Sequence, residues 1–139
     1  MTPAELVALA KEAMTRAYAP YSGCQVGAAL LTKDGKVYTG CNIENAAFTP
    51  TCCAERTAFF EAVAKGERHF AAIAVVGGQG GVVSGLFPPC GVCRQVMMEF
   101  CSPDFLIHMG GAGGEIVTVP LGEFLPYGFT GKGQVPQNS

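Results

Sequence analysis

The sequence predicts an α/β domain, three layers (α/β/α) built around a five-stranded mixed sheet. Three observations carry this reading. Apolar residues recur at helical spacing in some segments and alternate in others, in the order α-β-β-α-β-α-β-β. One short segment, 70–76, is wholly apolar, as expected of a central strand covered on both faces. The 139 residues show neither an internal repeat nor a linker, so one core is expected, over residues 1–133, with 134–139 as a flexible tail.

Each element has its own local cause. Thr2 caps the first helix, Pro3 fits its first position and Glu5 places an acid in its first turn. Leu6, Leu9, Ala10, Ala13 and Met14 then share one face to about residue 17, and Pro20 stops the helix. Segments 25–31 and 37–42 read as strands on either side of the turn pair Asp34-Gly35. Segment 51–64 is rich in Ala, Glu and Phe and reads as the second helix, closed by Gly66. The glycine-rich stretch 77–85 reads as a loop. Segment 90–101 is the third helix, 105–109 a strand, 110–114 a turn and 116–119 the last strand, with one helical turn over 123–125.

Composition narrows the function. At 49% apolar residues the chain is globular, and no apolar run approaches the roughly 20 residues of a membrane helix. The N-terminus lacks the basic start and cleavage site of a signal peptide, so a cytoplasmic protein without membrane partners is expected. Seven cysteines, two of them adjacent at Cys52 and Cys53, suit a metal site in a reducing compartment better than a disulfide framework. The net charge is −2, and the nine basic residues are scattered with no stripe to follow a phosphate backbone. Nucleic acid is therefore disfavoured and a small-molecule substrate expected.

The chemistry is concentrated in two motifs, Cys53-Ala54-Glu55 and Pro89-Cys90-Gly91-Val92-Cys93. Three thiolates, from Cys53, Cys90 and Cys93, can hold one Zn²⁺ per chain and leave a fourth tetrahedral position for water. Cys90 and Cys93 lie one helical turn apart, so both sulfurs reach one ion. Helix N-termini at both motifs favour the thiolate form. Glu55 is close enough to handle that water's protons without being a ligand, which makes it the candidate catalytic residue. Three thiolates also overload the ion with negative charge, so a balancing cation is expected: Arg56 first, Arg94 second. Cys52 is the weaker alternative to Cys53, because Cys-Ala-Glu sets the spacing. Cys41 and Cys101 read as small apolar residues, and His69 and His108 lack ligand spacing to the motifs. The 77–85 stretch lacks the Lys-Ser/Thr ending of a phosphate loop. Asn42 and Glu44 alternate along an extended segment and so share a face, as a sugar edge would require or as a satisfied strand-end turn would produce.

Five segments together resemble a known family: Pro20-Tyr21-Ser22, Val26-Gly27-Ala28-Ala29-Leu30, Asn42-Ile43-Glu44-Asn45-Ala46, Cys53-Ala54-Glu55-Arg56-Thr57-Ala58 and Pro89-Cys90-Gly91-Val92-Cys93-Arg94-Gln95. In this order they resemble the homotetrameric, three-cysteine cytidine deaminases, over residues 2 to about 131, a zinc-deaminase arrangement. The resemblance implies hydrolytic deamination of cytidine and deoxycytidine in pyrimidine salvage. It implies that Asn42 and Glu44 bind the sugar hydroxyls, and that the Ala54 N–H holds the pyrimidine carbonyl. It further implies that the Pro88 carbonyl accepts from the exocyclic amine. In a homotetramer with shared active sites, Phe129 would pack on a neighbouring subunit's base, and residues from Ala46 to Phe48 would reach across an interface. Three positions depart from that pattern: Cys24, expected to line the wall of the substrate pocket where an aromatic is usual, Phe48 for Tyr and Pro88 for Ser. The 77–87 segment is also longer than usual. Two alternatives stay open: a deaminase of another cytosine-bearing nucleoside, and a non-catalytic zinc module closed by a fourth cysteine among Cys24, Cys41, Cys52 and Cys101.

Overall fold

The computed structural model describes residues 1–131, so the expected boundary at 133 and the tail 134–139 lie outside the described residues. Helix α1 spans Pro3–Met14, and the predicted cap is complete: the Thr2 hydroxyl accepts from the Glu5 N–H at 3.1 Å while the Glu5 carboxylate accepts from the Thr2 N–H at 3.2 Å. Strands β1 (Cys24–Thr32) and β2 (Val37–Cys41) form the expected hairpin. Helix α2 (Ala54–Ala64) leads to β3 (Phe70–Gln79), and α3 (Gly91–Phe100) crosses over to β4 (Leu106–Gly110). Strand β5 (Ile116–Pro120) and the single turn α4 (Leu121–Phe124) follow. The sheet order is β2-β1-β3-β4-β5, with only β3 and β4 parallel.

Alternation along the strands builds the three layers. On one face Ala29, Ala72, Ala74 and Val76 pack against Leu6, Val7, Ala10 and Met14 of α1. On the other, Ala28, Leu30, Ile73, Val75 and Ile107 pack against Phe59 of α2, Met97 of α3 and Leu121 of α4. Both faces of β3 are thus covered, as its unbroken apolar run requires. Among the described residues no helix is long and apolar enough to cross a membrane.

Helix α1 ends at Met14 rather than near residue 17, and α4 starts at Leu121 rather than 123; two further boundaries that differ from expectation lie beside the site. The loop expected from residue 77 begins later, because Gly77 and Gly78 continue β3 and pair with Val26 and Gln25 of β1. Glycine was read as a breaker, yet here the missing side chains let the following segment fold onto the strand: a Cβ at Gly78 would stand 1.7 Å from the Val82 carbonyl oxygen. The second helix begins at Ala54, not at residue 51, because Cys52 exchanges backbone hydrogen bonds with Ile43 (2.9 Å each way) and keeps the chain extended up to the N-cap, Cys53.

Gly40 sets how closely α2 approaches β2. A Cβ there would lie 2.5 Å from the Ala54 carbonyl, the Ala58 nitrogen and the Thr57 hydroxyl. Two of these are backbone atoms of the helix that presents Cys53 and Glu55. Gly40→Ala should therefore displace α2 and destabilise the fold by about 1–3 kcal/mol, measurable by urea unfolding.

Candidate metal centre and active site

The N-termini of α2 and α3 bring together three sulfurs from distant parts of the chain. Cys53 is the N-cap of α2, Cys90 the N-cap of α3, and Cys93 lies in the first turn of α3. Their sulfurs all lie within 4.8 Å of one another, with Cys53–Cys90 at 3.8 Å and Cys90–Cys93 at 3.5 Å. Tetrahedral zinc with bonds of about 2.3 Å separates its sulfurs by about 3.8 Å, so the donor set fits zinc. Among the described residues no fourth cysteine joins this cluster, which leaves a coordination position open. Arg56 Nη2 donates to Cys53 Sγ at 3.4 Å. Among the described residues the Arg56 Nε is buried without a partner, so the guanidinium has donor capacity left beside the sulfurs.

The same contacts polarise the thiols. Hydrogen bonding with Cys93, then with Arg56 and Cys90, pulls the Cys53 pKa down to about 5. The Cys93 thiol, only 1% exposed, is pushed strongly upward by its hydrogen bond to Cys53 and by burial. A bound metal must displace the Cys93 proton, so zinc affinity should weaken as pH falls. Competition with a chromophoric chelator between about pH 8 and about pH 6 measures this.

Glu55, 5% exposed, sits on the first turn of α2, and burial raises its pKa to about 7. It lines a cavity of about 190 Å³ together with Cys53, Cys90, Ala54, Asn42 and Pro88. The Ala54 N–H, at the first position of α2, has no acceptor within the helix. A metal position, a carboxyl poised near neutrality and an open backbone donor therefore share one small cavity.

Residues 2–109 match the model of the "Cytidine and deoxycytidylate deaminase zinc-binding region". The chain belongs to this family. A cytidine deaminase from Halalkalibacterium halodurans is 50% identical over 125 residues, covering 90% of this chain and 92% of that one. One from Sporosarcina psychrophila is 48% identical over 126 residues, covering 91% and 90%. The crystal structure of cytidine deaminase from Burkholderia pseudomallei superposes with a TM-score of 0.86 at 48% identity, covering 93% of this chain and all (100%) of that one. The chain is accordingly a zinc-dependent enzyme of the deaminase family, with the fold class read from its sequence.

Within this deaminase, Asn42 and Glu44 do not line one cavity. The Asn42 side chain bridges β1, accepting from the Val26 N–H and donating to the Cys24 carbonyl, both at 2.8 Å. Glu44 borders a second cavity of about 410 Å³ with Tyr21, Ser22 and Phe48, and the two cavities share Thr51. The Ser22 hydroxyl and the Tyr21 and Ser22 N–H groups donate to the Glu44 carboxylate and hold its pKa down. Cys24 opens β1 but is not among the residues lining either cavity. Ala46, Phe48 and Phe129 are exposed, Phe129 at 69%.

Arg94 corrects the expectation of a second balancing cation. Its guanidinium donates to the Pro89 carbonyl at 2.7 Å and the Phe124 carbonyl at 2.9 Å, and it packs over the Phe124 ring. It ties α4 to the loop before Cys90 because its helical position turns it toward carbonyls rather than sulfurs. The residues that sequence reasoning missed are Thr51 and Phe87, both lining the cavity with Glu55. Thr51 lies three residues beyond the flagged segment 46–48. Phe87 closes the long 77–87 segment, two residues past the glycine-rich stretch, and its signal was that it is the one aromatic residue in that segment.

Proposed function

We propose that this enzyme hydrolytically deaminates cytidine and deoxycytidine to uridine and deoxyuridine with release of ammonia, as a step of pyrimidine salvage in the cytoplasm. The observation that carries the reading is the three-sulfur cluster, of which Cys53 and Cys90 line one cavity with the buried carboxyl of Glu55. Cys53, Cys90 and Cys93 are the zinc ligands, and zinc held there supplies the Lewis acidity that makes a water nucleophilic near neutral pH. Glu55, with a pKa of about 7, takes a proton from the attacking water and delivers it to the pyrimidine N3. It then carries the second proton to the amine leaving C4. The Ala54 N–H holds the base carbonyl and the Pro88 carbonyl receives the exocyclic amine. Arg56 offsets the charge of the thiolates.

Asn42 and Glu44 bind the sugar. The Asn42 amide keeps one N–H and one lone pair after its two bonds to β1. Glu44 keeps roughly one of about four acceptor positions after its three hydrogen bonds. The exposure of Phe48, Tyr127 and Phe129 supports a homotetramer in which Ala46, Phe48 and Phe129 complete neighbouring sites. Sedimentation of the zinc-loaded protein should give the mass of four chains, and a monomeric mass would contradict the shared site.

The substrate reading is tested by ultraviolet change and ammonia release from cytidine, deoxycytidine, cytosine and a cytosine-containing oligonucleotide in parallel. Turnover of the two nucleosides alone is expected. Turnover of the oligonucleotide, or of none of the four by zinc-loaded protein, would contradict it.

A further inference from the structure

We propose that Phe87 is the aromatic wall of the base pocket, seated on Gly77 and covering the sheet face beside Cys24. The inference rests on the nucleoside reading above. A pyrimidine is a flat ring, and a pocket that prefers it needs a matching apolar face. Among the described residues lining the cavity with Glu55, Phe87 is the only aromatic; its apolar companions are Val26, Val75 and Pro88, with the small Ala54.

The backbone fixes where this ring stands. A Cβ at Gly77 would lie 2.8 Å from Cγ and Cδ2 of Phe87, so the ring fills the space that a side chain at 77 would take. Gly77 is paired directly across the ladder with Val26, and Gln79 with Cys24, so these four positions share the site face of the sheet. Cys24 is one pleat, roughly 7 Å, along from Val26. The segment carrying Phe87 is fastened to the same strand end: the Ser84 N–H donates to the Gly77 carbonyl at 3.1 Å, and Gly85 bridges to Gly77. The strand residue at 24 offers only a small thiol, while the turn brings a ring to the neighbouring position. Selection for a planar base therefore comes from the turn rather than from the head of β1.

The test measures KM for cytidine and the equilibrium Kd for uridine on zinc-loaded protein, with zinc content and unfolding temperature recorded for each variant. Phe87→Ala should raise both constants in parallel, about tenfold, and Phe87→Leu, which keeps apolar volume without a ring, about threefold. Adding Cys24→Phe to Phe87→Ala should recover most of the lost affinity, because a ring is then supplied one pleat away. An unmoved KM and Kd in Phe87→Ala, with only a lower unfolding temperature, would overturn the wall and leave Phe87 as packing. A fall in kcat with both constants unmoved would also overturn it. Wild-type protein that neither turns over cytidine nor binds uridine would instead overturn the nucleoside reading, and the wall with it.

Discussion

Glu55→Gln should give a folded protein that still binds one zinc per chain and turns over cytidine roughly 10³-fold more slowly than wild type. The carboxyl is buried, and burial, the largest cause, raises its pKa to about 7. It therefore exchanges protons freely near neutral pH, which an amide of the same shape cannot do. Because burial disfavours the charged form, removing the charge takes nothing from the fold. The unfolding temperature of Glu55→Gln should match or exceed that of wild type, as for other catalytic groups held at a cost to stability. Steady-state rates, metal analysis and a thermal melt on the same preparation check all three statements. Near-native turnover would remove Glu55 from the proton-transfer role.

Stripping zinc should abolish activity and lower the unfolding temperature by on the order of 10–15 °C. Free zinc a thousandfold above its Kd adds about 4 kcal/mol to the folded state, and for a chain of this size each kcal/mol moves the midpoint by a few degrees. The structural cause is local. Cys53 caps α2 without any side-chain hydrogen bond to the helix, and Cys90 caps α3 only through a 3.5 Å contact with the Cys93 N–H. Three sulfurs gathered at two helix ends hold these ends together when they share an ion. Without it the polarised thiols face one another, and the N-terminal turns that carry Glu55 and Cys93 lose their common anchor. Cys93→Ser should reproduce the stripped state even with zinc in excess, because the buried third ligand is gone. A melt unchanged by chelation would contradict the account.

The sequence revealed the site better than it revealed the walls around it. Helix α1 was legible because Thr2, Pro3 and Glu5 act within one turn, and the hairpin because Asp34-Gly35 is a local signal. Cys90 and Cys93 were legible as a pair because they lie one helical turn apart, and Cys53 through its Cys-Ala-Glu motif; that the ends of α2 and α3 meet is set by how the two helices dock on the sheet. Glu55 followed from its place two residues after Cys53. The extension of β3 through Gly77 and Gly78 was not legible, since it depends on β1 lying alongside and on a segment that folds back over them. Arg94 was misread for a related reason: its partner at Phe124 is set by where α4 docks, thirty residues away in the chain. Asn42 and Glu44 alternate as expected, but the chain leaves β2 after Cys41, and the two side chains diverge toward β1 and toward the 21–22 turn. What failed in each case was a contact with a distant segment: β1 beside Gly77 and Gly78, Ile43 against Cys52, and Phe124 against Arg94.

One zinc, held by Cys53, Cys90 and Cys93, is expected to make this chain a nucleoside deaminase. The most direct test follows ammonia release from cytidine as the protein is titrated from the zinc-free state to saturation. The rate should rise in proportion to bound zinc and level off at one ion per chain. Full activity before any zinc has bound, or one bound zinc per chain with no ammonia released, would contradict it.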